Sequence, residues 1–190
     1  RRWDKKWHRF LWNRPKTIVS ANTPTSARTL ASAHGWPTLK SWVAGETEFR
    51  DDAKRPAGVG VLWPAIDPSA WPVEATSDEQ NAWEKFELKP TKSYLVTIGR
   101  ACFMKGGFEA LAVAQASSMP LVHVGGGETE AMKEKANEMD VELIVMPRIN
   151  ELELVSLVRH AHALIAVART EGFGLTPMEA VMVNTPALVV

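Results

Sequence analysis

The residues best suited to chemistry lie in the segment EGFGLTPMEA, at positions 171–180. Its two carboxylates, Glu171 and Glu179, are eight positions apart and enclose an aromatic residue between two glycines. The glycine-rich loop precedes a predicted helix, whose N-terminal N–H groups and dipole attract anions. The carboxylates can accept hydrogen bonds from hydroxyl groups. This combination predicts a site for a phosphorylated polyol, such as a nucleotide sugar.

The same segment has a structural interpretation for Glu179. Thr176 is a good N-cap, Pro177 suits the first helical position, and Glu179 follows the cap by three residues, which is the pattern of a capping box. In that interpretation the Glu179 carboxylate only closes the helix N-terminus. Glu171 precedes the glycines and is not needed by such a cap, which favours a ligand-binding role for it. The sequence alone leaves both roles of Glu179 open.

A second group of candidate residues is the segment GRACFMKGG at positions 99–107. Arg100 offers a planar fork for phosphate oxygens, Lys105 offers a point charge, and the glycines let a ligand approach the backbone. The segment matches neither the Walker loop nor the dinucleotide-binding pattern. The alternative is a glycine-rich turn with two solvated cations. A glycine triplet, Gly125–Gly127, is either a ligand-facing turn or a simple loop.

These motifs follow strands in a regular alternation of strands and helices. The predicted strands are Tyr94–Ile98, Leu121–Val124, Val141–Val145, Ala163–Val167 and Ala187–Val190. The predicted helices between them are Gly107–Ser117, Glu128–Met139, Glu151–His160 and Thr176–Val183. Strands that are apolar on both faces need helices on both sides, which predicts an α/β fold with a doubly wound parallel sheet. Ligands bind such sheets at the carboxyl ends of the strands, where the glycine-rich segments lie.

The first half of the sequence is less regular. Its predicted elements are a strand at Thr17–Ser20, a helix at Thr25–His34 that ends at Gly35, a strand at Val59–Leu62 and a polar, mostly exposed helix at Ala75–Phe86. At 190 residues the chain is long enough for one domain, or for one domain and part of another. The sequence does not begin with Met and ends within the apolar run PALVV, so we expect it to be a piece of a longer chain.

The composition argues against several classes of protein. Hydrophobic residues make up 45% and charged residues 23%, a globular profile that argues against disorder. Acidic and basic residues number 22 each, so no overall field attracts nucleic acid. The single cysteine, Cys102, excludes an internal disulfide and fits a reducing compartment. Because no apolar run reaches the roughly 18–20 residues of a spanning helix and no signal-peptide pattern is present, we expect a cytoplasmic protein.

Positive charge is concentrated in residues 1–16, which hold seven basic side chains and one acidic one, a net charge of +6. If this segment is helical, Trp3, Trp7 and Phe10 lie near one face with cations around them. Such a helix could contact an anionic membrane peripherally, or nucleic acid. The alternative is a surface helix whose aromatic residues are buried against a domain outside this sequence.

Four motifs, in this order, resemble the nucleotide-binding half of retaining glycosyltransferases with the GT-B fold, of the family-four type. The segment GVLWPAIDPSAW at 60–71 is similar to that family's interdomain linker, with Ala65 in place of the usual glycine. IGR…KGG is similar to its GR…KG loop, VHVGGGE to its strand-ending VGxG, and EGFGLTPMEA to its E-x7-E signature. The resemblance covers about residues 17–190. It implies that 1–58 end the N-terminal domain, 59–90 form the linker and first elements of the C-terminal domain, and 91–190 form an incomplete donor-binding Rossmann-like domain.

The resemblance also implies a role for each motif residue. Arg100 and Lys105 would hold the donor diphosphate and neutralise the leaving group, and Glu171 would bind a hydroxyl of the transferred sugar; these three are the implied catalytic residues. Glu179 would bind the nucleotide ribose. The other implied donor-binding residues are Gly99, Gly125, Arg148, Ile149, Gly172, Phe173, Gly174, Leu175 and Thr176. No metal or other cofactor is implied.

The implied activity is transfer of a sugar from a nucleoside-diphosphate sugar to an acceptor, with retention of the anomeric configuration. The acceptor is left open: a glycan, a lipid, a protein, a nucleic acid or a small molecule. Two alternatives keep nucleotide-sugar binding without this activity. One is a sugar-nucleotide epimerase of related fold, whose signature residues differ from EGFGLTPMEA, and the other is a binding module without turnover.

Overall fold

The computed structural model describes residues 19–35, 49–50, 55–56, 59–61, 64–169, 171 and 173–190. The basic N-terminal segment and Gly172 lie outside these residues, so the membrane contact expected of that segment stays a prediction. The chain divides into two compact units, Arg1–Ala65 and Ile66–Val190. Every candidate site residue belongs to the second unit.

The described part of the first unit combines short strands with one helix. Its elements are β1 (Val19–Ala21), α1 (Pro24–His34), β2 (Phe49–Arg50), β3 (Arg55–Pro56) and β4 (Val59–Val61). β1 and β4 pair in parallel, and β2 and β3 pair antiparallel. Helix α1 begins after Thr23, whose side chain accepts a hydrogen bond from the Ser26 N–H, and it ends at Gly35 with a φ of 68°. The helix predicted here from the sequence is confirmed.

The second unit alternates strands and helices along the chain. Its elements are α2 (Ser77–Lys85), β5 (Leu95–Ile98), α3 (Gly107–Ser117), β6 (Leu121–Val124), α4 (Thr129–Glu138), β7 (Leu143–Met146), α5 (Glu151–Arg159), β8 (Ala163–Ala166), α6 (Leu175–Met182) and β9 (Ala187–Val189). A short 3₁₀ turn, Phe103–Lys105, lies between β5 and α3. The five strands are parallel, in the order β7-β6-β5-β8-β9.

The core lies on both faces of this sheet because successive strand residues point to opposite sides. Val96, Val122 and Leu164 belong to one apolar cluster, with side chains from α5 and α6. Leu95, Leu121 and Ile165 belong to the other, with side chains from α3 and α4. Each such buried side chain stabilises the fold by about 1.5–3 kcal/mol. The doubly wound parallel sheet predicted from the sequence is confirmed.

The buried residues of this unit include polar side chains, among them His123. His123 on β6 is 2% exposed, and neither ring nitrogen makes a hydrogen bond to a described residue. Burial lowers the pKa of His123, and the backbone of Gly126 opposes this shift without meeting hydrogen-bond geometry. Burial therefore favours the neutral form of the imidazole, and it removes the hydrogen bonds that the ring would make to water.

Helix α2 is mostly exposed, as predicted, but one of its acidic residues is buried. Glu79 is 2% exposed and receives two hydrogen bonds from Arg159 on α5, from Nε at 2.6 Å and from Nη2 at 3.0 Å. Arg159 also donates to the carbonyl oxygens of Pro72 and Val73. This arrangement fixes α2, and the segment before it, against α5.

The third strand of the alternation differs from its predicted bounds. β7 begins at Leu143, two residues later than expected, because the backbone of Val141 is used to close the C-terminus of α4. Its N–H donates to the carbonyl of Ala136, and Asp140 turns the chain with a φ of 54°. The chain therefore enters the strand only after this helix ending is complete.

Candidate functional site

The loops after β5, β6 and β7 are joined by backbone hydrogen bonds at the carboxyl edge of the sheet. The Gly99 N–H donates to the Val124 carbonyl at 2.9 Å, and the Gly125 N–H donates to the Met146 carbonyl at 3.1 Å. Gly125 has a φ of 142°, and a Cβ on it would overlap the carbonyl oxygen of Gly99. Gly125 is therefore required for close approach of the two loops.

A cavity of about 700 Å³ opens at this edge. Its lining residues are Trp71, Ile98, Gly99, Arg100, Val124, Gly125, Gly126, Gly127, Arg148, Ile149, Glu151, Leu154 and Glu179. Six of them are donor-binding residues implied by the resemblance, namely Gly99, Arg100, Gly125, Arg148, Ile149 and Glu179, and Gly126 and Gly127 complete the predicted glycine turn. The cavity combines two guanidinium groups, two carboxylates and a glycine-rich backbone surface. This chemistry suits a ligand that carries phosphates and hydroxyl groups.

The capping box predicted for Glu179 is wrong. Helix α6 begins at Leu175, after Gly174 with a φ of 83°, and no side chain caps it. Glu179 is therefore the fifth helical residue rather than the third, and it lines the cavity. The capping box of this region lies at the start of α5, where Asn150 and Glu153 exchange hydrogen bonds.

The electrostatics of the cavity raise the pKa of Glu179. Burial of its carboxyl is the larger cause, and the negative charge of Glu151 adds to it. Glu151 is the first residue of α5 and lines the same cavity, so two carboxylates face one ligand space. Such a pair favours a ligand that donates hydrogen bonds, as sugar hydroxyls do.

Sequence reasoning missed three side chains of this cavity. Trp71, Glu151 and Leu154 line it, but none belongs to a glycine-rich segment. For Glu151 and Leu154 a signal existed, because both follow the third predicted strand at the same edge as the other motifs. Trp71 lies before α2, far along the chain from the sheet, and no local pattern indicates that it reaches the site.

Lys105 and Glu171 lie together, although neither is among the lining residues of the cavity. The Lys105 ammonium donates to Glu171 Oε2 at 2.7 Å, and both side chains are partly exposed. Lys105 ends the 3₁₀ turn after β5, and Glu171 follows β8. These strands are neighbours in the sheet, so their loops meet at its carboxyl edge.

The remaining predicted residues lie at the start of α6. Phe173 is partly buried, Gly174 precedes the helix, Leu175 is exposed and Thr176 is the second helical residue. None of the four is among the lining residues of the cavity. Their proposed contacts with the donor therefore stay predictions, as does that of Gly172, which is outside the described residues.

The described residues contain neither a cluster of metal-binding side chains nor a helix that could span a membrane. No group of three or more His, Cys, Asp and Glu side chains is arranged there to hold a metal ion. In the same residues, every helix is too short or too polar to cross a bilayer.

Fold and site together define an α/β protein of Rossmann-like architecture with a cavity at the carboxyl edge of its sheet, and the comparisons with known proteins agree with this fold. The sequence model of the family "Glycosyl transferases group 1" matches residues 78–190, more than half of the chain. The chain therefore belongs to this family, which confirms the resemblance found in its motifs. Comparison with curated protein sequences finds no match.

Solved structures with this fold include several glycosyltransferases. WaaG, a glycosyltransferase involved in lipopolysaccharide biosynthesis, is 17% identical over 99% of this chain and 48% of its own, with a TM-score of 0.68. Sucrose-phosphate synthase from Thermosynechococcus elongatus is 16% identical over 98% of this chain and 42% of its own, with a TM-score of 0.66. HepE from Anabaena, in complex with UDP and glucose, is 13% identical over 100% of this chain and 48% of its own, with a TM-score of 0.66. The chain thus spans about half the length of the structures it matches.

Proposed function

We propose that the second unit binds a nucleoside-diphosphate sugar, and that the protein which contains it transfers the sugar to an acceptor with retention of the anomeric configuration. The observation that carries this proposal is the cavity at the carboxyl edge of the sheet. Two guanidinium groups, a glycine-rich backbone and the Glu179 carboxylate meet there. The solved structure of a protein with this fold in complex with UDP and glucose supports the choice of ligand.

The proposed donor lies along the cavity with its base near Ile149 and its ribose at Glu179. The Glu179 carboxylate accepts hydrogen bonds from the ribose hydroxyls. Arg100 binds the phosphates from the cavity wall, and Lys105 binds them from the neighbouring loop. Glu171, which is paired with Lys105, accepts a hydrogen bond from a hydroxyl of the transferred sugar. The ion pair brings the phosphate and sugar contacts within one hydrogen bond of each other.

Electrostatic stabilisation of the leaving group by positive charge is the main catalytic effect in this proposal. Cleavage of the bond between sugar and phosphate leaves a diphosphate with growing negative charge and an oxocarbenium-like sugar. Arg100 and Lys105 stabilise that negative charge, because fixed cations act most strongly where charge develops in the transition state. Glu171 then fixes the sugar beside the leaving diphosphate.

A thermal-shift panel on this chain tests donor binding. The panel contains UDP, GDP and ADP with UDP-glucose, GDP-mannose and ADP-glucose. A ligand that binds only the folded state at 100 times its Kd stabilises it by about 2.7 kcal/mol, so the matching nucleotide should raise the melting temperature clearly. No shift with any of the six ligands would contradict the proposal.

Arg100→Ala is the matching variant, with Lys92→Ala as its control. Loss of a charge-assisted phosphate contact costs about 1.5–3 kcal/mol, or roughly 10- to 150-fold in Kd. Lys92 is an exposed cation that pairs with Glu142, near the amino ends of the strands, and its removal should leave the affinity unchanged. Equal nucleotide affinity in the Arg100 variant and the wild type would contradict the proposal that Arg100 binds the phosphates.

Product analysis separates transfer from binding without turnover. A protein that joins this chain to the half found in related structures is supplied with the sugar nucleotide selected by the panel and an acceptor mixture. The anomeric configuration of the product, measured by NMR, should equal that of the donor. Tight donor binding without any transfer would favour the binding-module alternative.

A further inference from the structure

The loops after β5 and β8 carry Lys105 and Glu171, and their relative position decides how far apart these two groups stand. The Lys105–Glu171 pair itself is too weak to fix that position. Its side chains are 42% and 45% exposed, and exposed ion pairs contribute little because water and salt screen them. Another contact must hold the two loops together.

Arg169 supplies three such contacts from the loop after β8. Its backbone N–H donates to the Met104 carbonyl at 3.0 Å. Its guanidinium forms an ion pair with Glu109 in the first turn of α3, and it lies 4.2 Å from the centre of the Phe103 ring. One residue thus contacts the 3₁₀ turn before Lys105 and the helix after it.

The partners of Arg169 depend on it in turn. Glu109 Oε2 is shielded from solvent and makes no hydrogen bond to a described residue. The Arg169–Glu109 pair is itself partly exposed, with side chains 48% and 35% exposed, so it acts together with the backbone hydrogen bond to Met104 and the contact with the Phe103 ring. The two loops are also in close contact beside this pair. A Cβ on Gly106, which has a φ of 73°, would overlap the carbonyl oxygen of Val167. A loop held on both sides of Lys105 keeps the backbone of that residue in place relative to the loop that carries Glu171.

We propose that Arg169 is a positioning residue for sugar transfer, which sets the distance between the phosphate-binding Lys105 and the sugar-binding Glu171. The inference rests on the proposed function. Arg169 is not among the lining residues of the cavity, so it acts through the two loops and not on the donor itself. Substitution of Arg169 should therefore weaken the binding only of ligands that extend beyond the first phosphate.

A graded series of ligands reveals this dependence. For uridine the series is UMP, UDP and UDP-glucose, and the corresponding series is used if the panel selects another base. In Arg169→Met the affinity for UMP should stay within about twofold of the wild type, since base, ribose and first phosphate lie in the cavity. UDP should bind more weakly, and UDP-glucose should lose about tenfold or more, the scale of one misplaced charge-assisted contact.

Two further variants distinguish positioning from general damage. Arg169→Lys keeps a cation near Glu109 and Phe103 and should recover part of the UDP-glucose affinity, without changing that for UMP. Glu109→Gln should reproduce part of the loss, and its effect should not add to that of Arg169→Met because both act through one pair. Lys92→Met, which breaks a more exposed ion pair near the amino ends of the strands, should change none of the three affinities.

The outcomes are distinct. A selective loss that grows from UMP to UDP-glucose supports the positioning role. Equal losses for all three ligands, or an unchanged affinity for UDP-glucose, would overturn it. If Arg169→Met does not fold, Arg169→Lys and Glu109→Gln decide by the same comparison. If the wild type binds none of the three ligands, the proposed function is wrong and the inference fails with it. If the wild type binds them normally and the Arg169 variants bind them equally well, only the inference is wrong.

Discussion

Glu179→Gln separates a ligand-binding role of this residue from a structural one. Because α6 begins at Leu175, the substitution removes no helix cap. Glutamine has the same size and keeps one oxygen that accepts a hydrogen bond, but it lacks the charge. A hydrogen bond to a charged group contributes about 1.5–3 kcal/mol and one between neutral groups about 0.5–1.5 kcal/mol. The difference of about 1–1.5 kcal/mol predicts that the nucleoside diphosphate binds roughly 5- to 12-fold more weakly.

The stability of the variant should depend on pH in a defined direction. Burial, and then the charge of Glu151, raise the pKa of Glu179 above its ordinary value of 4.5. The protonated group therefore stabilises the folded protein below pH 4.5, and this contribution is lost as pH rises through the raised pKa. At pH 7 the variant should be at least as stable as the wild type. As the pH is lowered towards 4.5, the wild type should gain stability relative to the variant.

Calorimetric titration at pH 7 and thermal unfolding between pH 4.5 and 7 measure both effects. The control is Glu153→Gln, the same substitution in the capping box of α5, where glutamine also serves as a partner and the residue does not line the cavity. It should leave nucleotide affinity unchanged. Normal affinity in Glu179→Gln, combined with a clear loss of stability at pH 7, would refute the reasoning and assign the residue to the fold.

Three further predictions concern the packing around the site. Gly125→Ala should destabilise the protein by about 1–3 kcal/mol in urea unfolding, since its Cβ would overlap a carbonyl oxygen, whereas Gly126→Ala has open space and should be neutral. His123→Leu should be neutral or stabilising at pH 7, because the ring nitrogens make no hydrogen bond to a described residue. The stability of this variant relative to the wild type should increase as pH falls below the ordinary pKa of 6.5, because the lowered pKa of the buried histidine costs the wild type stability there. A stability difference that stays constant across pH would contradict this. Glu79→Ala should cost about 3–5 kcal/mol, since it leaves a largely buried arginine without its counter-charge, and a loss below 1 kcal/mol would show that the pair is dispensable.

The sheet was predictable because its signal is local. Apolar runs of four or five residues separated by helical patterns specify parallel strands, whatever the rest of the chain does. The positions of Arg100, Gly125 and Arg148 in the cavity follow from that alternation, since each comes just after a strand. Local hydrogen bonds, by contrast, decide where elements begin and end. The sequence around Thr176 suited a capping box, but the helix has its N-cap at the left-handed Gly174, two residues earlier.

Contacts between distant segments depend on the order of strands in the sheet, which no local pattern records. The pair of Lys105 and Glu171 joins positions 66 apart in sequence, and it forms because β8 lies next to β5. The approach of Glu151 to Glu179 likewise requires α5 and α6 to pack on one face of the sheet. The sequence by itself determined the residue types at the carboxyl edge, because a strand and the loop after it are continuous in the chain. The tertiary structure alone decided which of those side chains share a cavity and which form ion pairs, because packing across the sheet sets the distances between them.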